Sequence, residues 1–422
     1  MRKVTKNKII HGILIIFVII IALLASMVAA FRDVTLQTMV ARSIAGELSK
    51  RLNTEVKIRT FYITYDLGIV LEDVQIDDLY GCPLFRVGKL YAKVSPTIMP
   101  DELRVKDIYL EDVWGNVVKY EGAERLNMME LFGQMGGGGD TEADTDEGSN
   151  IRFRIDNMKL DNGRVVYWDQ NRDRPEKLSM DWFHIDIDSI YGVISDIEIK
   201  HDTIMWNVHS LKGQDRCGLV LDDAYGDVLF CEKCLNIDNL MLATGESKVD
   251  LDMRFEYEQS SAYYEFEDSV RIIGNIREST LKLSDLRYFS WVLDRMPDKF
   301  VFTAYFDGKV SDFTVKNFDA RFGENSHIDA DVAFKGLPEF FTSYMDINFR
   351  NLRTTYNDVD NFAIPIESVT VPMPSVLDDV EVFELTGFFK GYPDDFNTQF
   401  NLQTDIGNMD IYVYLNTTED SE

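Results

Sequence analysis

Little in this sequence suits it to chemistry. Five histidines, His11, His184, His201, His209 and His327, are scattered through 422 residues, and there are only four cysteines. No nucleophile elbow, phosphate-binding glycine loop, dinucleotide fingerprint or His-Glu-x-x-His stretch occurs. An enzyme is therefore not expected, nor a cofactor. Basic residues are also short, 43 Lys and Arg against 72 Asp and Glu, for a formal charge of −29. No basic patch stands ready to neutralise phosphates, which excludes nucleic acid as a partner. The same deficit argues against electrostatic docking on anionic lipid, apart from the N-terminal tail. Long hydrophobic runs are absent too, with one exception.

The cysteines are Cys82, Cys217, Cys231 and Cys234. Cys231-Glu-Lys-Cys234 has the spacing of a redox or zinc motif. A redox motif should open a helix, however, and zinc needs a second ligand pair. Val228-Leu229-Phe230 before it reads as a strand, and no second pair exists. A structural disulfide or buried thiols remain. His184, Asp186 and Asp188 would share one strand face, and period two makes them a polar, solvent-facing row rather than a metal site. Asp144-x-Asp146 lacks the rest of a calcium loop and reads as acidic linker.

The exception is the N-terminus. Arg2, Lys3, Lys6 and Lys8 precede an apolar run over 9–31, broken only by His11, Gly12 and Ser26. At about 1.5 Å per residue the run spans roughly 34 Å, enough for a bilayer core of about 30 Å. Ile13, Leu14, Phe17, Ile20, Leu23 and Leu24 form the expected membrane anchor. The basic flank places residues 1–8 in the cytoplasm. Val28-Ala29-Ala30 resembles a cleavage site, but a signal peptide's apolar region runs only about 7–15 residues.

Beyond the anchor, Leu36, Val40, Ile44, Leu48 and Leu52 recur every four residues, with Gln37, Arg42, Glu47 and Arg51 off the stripe. An amphipathic helix is expected there, ended by Asn53 and Thr54. Val56, Ile58, Phe61, Ile63, Tyr65, Ile69, Leu71, Val74 and Ile76 then alternate with slips, read as bulges or turns between strands. Further short strands are expected near 84–94 and 103–113, and a brief helix over 127–132. Helix and sheet over 32–132 form one expected segment. Residues 133–150 hold one large apolar side chain, Met135, and read as a flexible, Gly-rich acidic linker.

Residues 151–422 read as strand after strand. On Lys248–Glu258, Val249, Leu251, Met253, Phe255 and Tyr257 take one face. Asp250, Asp252, Arg254 and Glu256 take the other, where a change such as Asp252→Lys should be nearly silent. Ile328, Ala330, Val332 and Phe334 alternate likewise, as do Met409, Ile411, Val413 and Leu415. Such alternation is the antiparallel signature, apolar on one side and wet on the other. One helix is expected over 284–296, capped by Ser284 and stopped by Pro297. Gly308…Phe313 and Gly391…Phe396 share G-x4-F, 83 residues apart, which suggests a repetitive sheet.

The anchor, Val40-Ala-Arg-Ser-Ile-Ala-Gly-Glu-Leu-Ser-Lys-Arg-Leu-Asn-Thr-Glu-Val56 and Ile69-Val-Leu-Glu-Asp-Val-Gln-Ile-Asp-Asp78 resemble the opening of the AsmA/TamB family, in its Bacteroidota-type TamB form. Leu240-Met-Leu-Ala-Thr-Gly-Glu-Ser-Lys-Val249, Gly336-Leu-Pro338 with Leu352–Asp358, and Thr386-Gly-Phe-Phe-Lys-Gly391 with Thr404–Gly407 continue the likeness. It covers nearly the whole chain, carried by the order of motifs that are individually low in information. The resemblance implies an elongated, curved antiparallel sheet, a β-taco, whose apolar groove takes phospholipid acyl chains. It also implies an anchor in the bacterial inner membrane, the bulk in the periplasm, and transport between inner and outer membranes. A second implied role is a scaffold for outer-membrane protein translocation and assembly with a TamA-like barrel. Family members of this type run longer and end in a domain that meets that barrel, so docking to it does not carry over to these residues.

Overall fold

The computed structural model describes residues 33–95, 102–135, 152–174, 179–200, 203–258, 262, 265–289, 299–337, 342–360 and 380–416. The expected anchor over 9–31 lies outside them. No described helix is long and apolar enough to cross a membrane. The chain is mainly β, with eighteen strands among the described residues, in two compact units that divide between Tyr225 and Gly226.

Unit one opens with α1, Val34–Leu52. Asp33 caps it by accepting the Thr35 and Leu36 N–H groups, and Asn53 ends it in the left-handed conformation, as its place in the sequence suggested. Strands β1 (Val56–Ile63), β2 (Gly68–Asp77), β3 (Pro83–Val94) and β4 (Glu102–Lys119) pair in antiparallel succession. The slip between Tyr65 and Ile69 is the β1–β2 turn, and the one between Leu71 and Val74 is marked by Asp73 at φ +47°.

The face that α1 buries differs from the expected stripe. Leu36 and Val40 are exposed, while Gln37, Thr38, Ala41, Ala45 and Leu52 are buried. The cause is the free edge of β1, which demands hydrogen bonds rather than large apolar side chains. Thr38 Oγ1 accepts the Phe61 N–H at 3.1 Å and donates to the Phe61 carbonyl at 3.0 Å. Gln37 Oε1 accepts the Ile63 N–H, and Ser49 Oγ the Val56 N–H. Arg42 donates to the carbonyls of Ile58 and Arg59. Ala41 and Ala45 let the helix come this close.

Helix α2, Asn127–Met135, runs past the expected 127–132, so Gly133 to Met135 are helical rather than linker. It belongs to the connection between β4 and β5 (Arg152–Asp169), which pair in parallel. This is the one parallel pair among the described registers of an otherwise antiparallel succession: a parallel pair needs a crossover, and α2 with residues 136–151 supplies its length. Residues 136–151 lie outside the described residues. Buried Asp78 ties the helix start to the β2–β3 turn, accepting from Tyr80 and Cys82 N–H, Tyr120 hydroxyl and Asn127 amide. Strands β6 (His184–Lys200) and β7 (Thr203–Asp215) continue the unit, and β8 is Val220–Phe230.

Unit two runs through β9 (Cys234–Thr244), β10 (Ser247–Glu256), β11 (Arg271–Lys282), β12 (Lys299–Lys309) and β13 (Asp312–Phe322). It continues with β14 (Ser326–Lys335), β15 (Tyr344–Thr355), β16 (Val382–Tyr392), β17 (Asp395–Thr404) and β18 (Gly407–Asn416). Each pairs antiparallel with the next. Its described helices are single turns: α3 (Phe266–Ser269), a 3-10 turn at Leu283–Leu286, and α4 (Tyr356–Asp360). The expected helix over 284–296 thus begins as a 3-10 turn, and residues 290–298 lie outside the described residues.

The repeat read from the two G-x4-F stretches has a structural counterpart. Gly308 pairs with Phe313 and Gly391 with Phe396. Both glycines sit at positive φ, +144° and +135°, where a Cβ would meet a carbonyl oxygen of the next strand. Phe306 and Phe313 pack at 5.6 Å between ring centroids, and Phe389 and Phe396 at 4.9 Å. The turns before β10 and β14 also match. Gly245 and Gly323 take φ +56° and +57°, and Asp285 and Asp358 receive the following N–H groups and the hydroxyls of Ser247 and Ser326.

Candidate functional site

In unit two the register aligns apolar residues into rows across the strands, because directly paired residues share a face. One row runs Phe255, Ile272, Gly308, Phe313, Phe334, Met345, Gly391, Phe396 and Leu415. The next runs Met253, Gly274, Phe306, Val315, Val332, Ile347, Phe389, Thr398 and Val413. Ala330, Phe349, Gly387, Phe400 and Ile411 form part of a third; Ile328, Leu352, Leu385, Leu402 and Met409 part of a fourth. Leu251 pairs with Leu240 and Ile276, and Val249 with Leu242. The single polar side chain in the first two rows, Thr398, donates to the Phe388 carbonyl at 2.6 Å.

The three stretches singled out in the sequence therefore meet on one face. Leu251 and Ala330 are buried, and Val249, Met253, Phe255, Ile328, Val332, Phe334 and Ile411 are half-buried. Met409, Val413 and Leu415 on β18 are exposed. Tyr257 lies past the end of β10, where its hydroxyl donates to the Cys231 carbonyl at 3.2 Å. Sequence reasoning missed the aromatics on the strands between, among them Phe306, Phe349, Phe389 and Phe400. The G-x4-F stretches named only Phe313 and Phe396, which pair with Gly308 and Gly391.

Glycines shape this face. A Cβ on Gly274 would overlap the Phe306 ring, so that ring lies directly over the β11 backbone. Among the described residues of unit two no helix exceeds five residues, too short to cover ten strands.

The opposite face is ionic and built from matched clamps. Arg277 on β11 donates to Asp250 and Asp252 on β10; Arg350 on β15 donates to Asp329 and Asp331 on β14. Each clamp meets a bulge: Asn239 and Asn317, both at positive φ, donate their N–H groups to Asp252 and Asp331 at 2.8 Å. Asp252 thus has structural partners on this face, Arg277 and the Asn239 N–H. The Asn239 N–H, against partial burial and with Arg277, holds its carboxyl below the usual range. Burial works to raise the Asp331 pKa, and Arg350 with the Asn317 N–H more than offsets it.

The remaining polar candidates are structural. Cys231 and Cys234 form a disulfide across the turn before β9; Cys82 is an exposed thiol and Cys217 a buried one. Burial pushes the Cys217 thiol up to about 11. His184 is buried rather than solvent-facing, the correction to the expected polar row. Its Nδ1 lies 2.7 Å from Asp181, its Nε2 3.0 Å from the Asp169 carbonyl, and Trp168 packs edge-on against the ring. Asp186 instead takes Arg164 in a bidentate pair, and Asp188 stays exposed. No group of three metal-ligating side chains occurs among the described residues.

These features define a class, a mainly β protein with a continuous apolar sheet face backed by an ionic one. No family model matches the chain, and neither does any curated protein or solved structure.

Proposed function

We propose that this chain is an inner-membrane-anchored periplasmic protein whose apolar sheet face carries phospholipid acyl chains between the inner and outer membranes. The observation that supports this most is the continuity of the apolar rows from β10 to β18. At about 4.8 Å per strand interval the ladder from β9 to β18 measures roughly 43 Å, longer than an acyl chain. Half-buried phenylalanines and glycines leave shallow, adaptable apolar relief, and no side-chain charge interrupts the first two rows. The resemblance to the AsmA/TamB family supports the same reading, as does the absence of any catalytic constellation from the sequence. Cofactors have no part in it, and nucleic acid is not a partner.

The test is a photoreactive residue at Met253, Val332 or Ile411 in the full chain, expressed in cells. Phospholipid adducts at all three positions are the expected result. Met253→Asp should then leave the protein folded but abolish adducts at Val332. Folded protein that captures no lipid would sink the conduit. Adducts to outer-membrane proteins instead would favour a scaffold working with a TamA-like barrel.

A further inference from the structure

The two apolar residues that α1 leaves exposed on its predicted stripe belong to a larger cluster. Val34, Leu36, Met39 and Val40 face solvent over the first two turns of the helix, Met39 at 60 %. The Gln37–Ile63 and Thr38–Phe61 hydrogen bonds set those turns beside the end of β1, so the β1–β2 turn lies next to them. At that turn Tyr65 is fully exposed and Leu67 is 56 % exposed. Six large apolar side chains thus crowd one end of unit one.

The turn is firmly built, so its exposure is not slack. Thr64 N–H donates to the Gly68 carbonyl at 2.8 Å, and the Thr64 hydroxyl accepts the Gly68 N–H at 2.9 Å. Asp66 is held by the Thr64 hydroxyl, Tyr91 hydroxyl and Lys93 ammonium, which together keep its carboxyl ionised. Leu67 sits at φ +63°, a left-handed conformation that Gly or Asn would adopt with less strain. A strained leucine pointing into water calls for something apolar to receive it.

The sequence says what that is. The apolar run over 9–31 stops two residues before Asp33, the cap of α1. If the run crosses the bilayer, the first turns of α1 emerge at the membrane surface, and the β1–β2 turn beside them is there too. The geometry points to a second membrane contact: Val34, Leu36, Met39, Val40, Tyr65 and Leu67 bed into the interfacial layer of the same bilayer that holds the anchor. The occupant is lipid, contacted at the boundary between headgroups and acyl chains, where a tyrosine and aliphatic side chains are at home. Both nearby carboxylates stay charged but are met locally, Asp66 by the Lys93 ammonium and Asp33 by the N–H groups at the positive end of α1. This inference rests on the anchored reading above but not on lipid moving along unit two.

The test uses the full chain reconstituted in vesicles of phosphatidylethanolamine and phosphatidylglycerol. A photoreactive phenylalanine analogue replaces Tyr65, Leu67 or Leu36, and, as control, exposed Tyr80. Tyr80 follows the far end of β2, roughly 33 Å along the strand from the β1–β2 turn. Lipid adducts at the first three positions and none at Tyr80 are expected. In a Tyr65→Ser/Leu67→Asn chain, adducts at Leu36 should fall several-fold, because the turn no longer helps hold α1 against the bilayer, while thermal stability is kept. Vesicle-bound protein that resists alkaline carbonate yet forms no adducts at Tyr65 and Leu67 would overturn the contact and leave the anchor standing. Release by carbonate would overturn both. Adducts at Met253 report on the conduit separately.

Discussion

At the scale of the residue, the turns before β10 and β14 show how little freedom the repeat allows. Gly245 combines a left-handed φ with an Asp285 carboxylate that a Cβ would strike at 2.5 Å. Gly245→Ala should lower stability by about 1–3 kcal/mol in denaturant unfolding, from backbone strain and the displaced carboxylate together. Asp285→Ala should cost a similar ~1–3 kcal/mol, because buried Ser247 loses the acceptor of its N–H and hydroxyl. A fall far smaller than this in either variant would mean the turn is not held as described. The thiols give an independent check. Native protein should react with maleimide at one site, Cys82, while buried Cys217 stays unmodified until the chain unfolds.

At the scale of the element, α1 and β10 teach opposite lessons about periodicity. The four-residue spacing of Leu36, Val40, Ile44, Leu48 and Leu52 marks a helix correctly, and its C-terminal end was legible from Asn53. The buried side was not legible, because it is chosen by the open edge of β1, a feature of pairing rather than of the helix. Thr38→Val keeps the volume but removes both hydrogen bonds to Phe61. It should cost about 1–3 kcal/mol, read as a lower denaturation midpoint, and speed amide exchange along β1. On β10 the alternation named the apolar face correctly, while the polar face proved structural. Asp252→Lys breaks the bond to Asn239 and sets a cation against Arg277. A measurable drop in melting temperature is expected; an unchanged one would show that the clamp contributes nothing.

At the scale of the whole molecule, the acidic composition makes stability depend on pH. The Asp252, Asp331 and Asp358 carboxyls lie below their ordinary range, and the Lys282 and Lys299 ammonium groups hold Glu246 at about 2. Each folded value is depressed, so the stability these groups contribute is complete above about pH 5 and lost as pH falls through the folded values. Solvent screening keeps each contribution small. Unfolding midpoints for unit two should therefore hold steady from pH 7 to about pH 5 and decline toward pH 2. A rise in stability over that acid range would contradict the assignment.

What the sequence determined by itself is what depends on local period and composition. It set the mainly β class, the helix over 34–52, the acidic surface and the two-faced strands. It also marked the repeat, because a positive-φ glycine opposite a phenylalanine is written into G-x4-F. Only the tertiary structure decided which strands lie side by side, and so which side chains form a surface. Register joined Met253 to Val332 and Val413, which lie far apart in the chain. The parallel pairing of β4 with β5, the burial of His184 and the outward turn of Leu36 and Val40 were decided there as well. Each depends on a partner distant in sequence, and no local pattern records where such a partner will be.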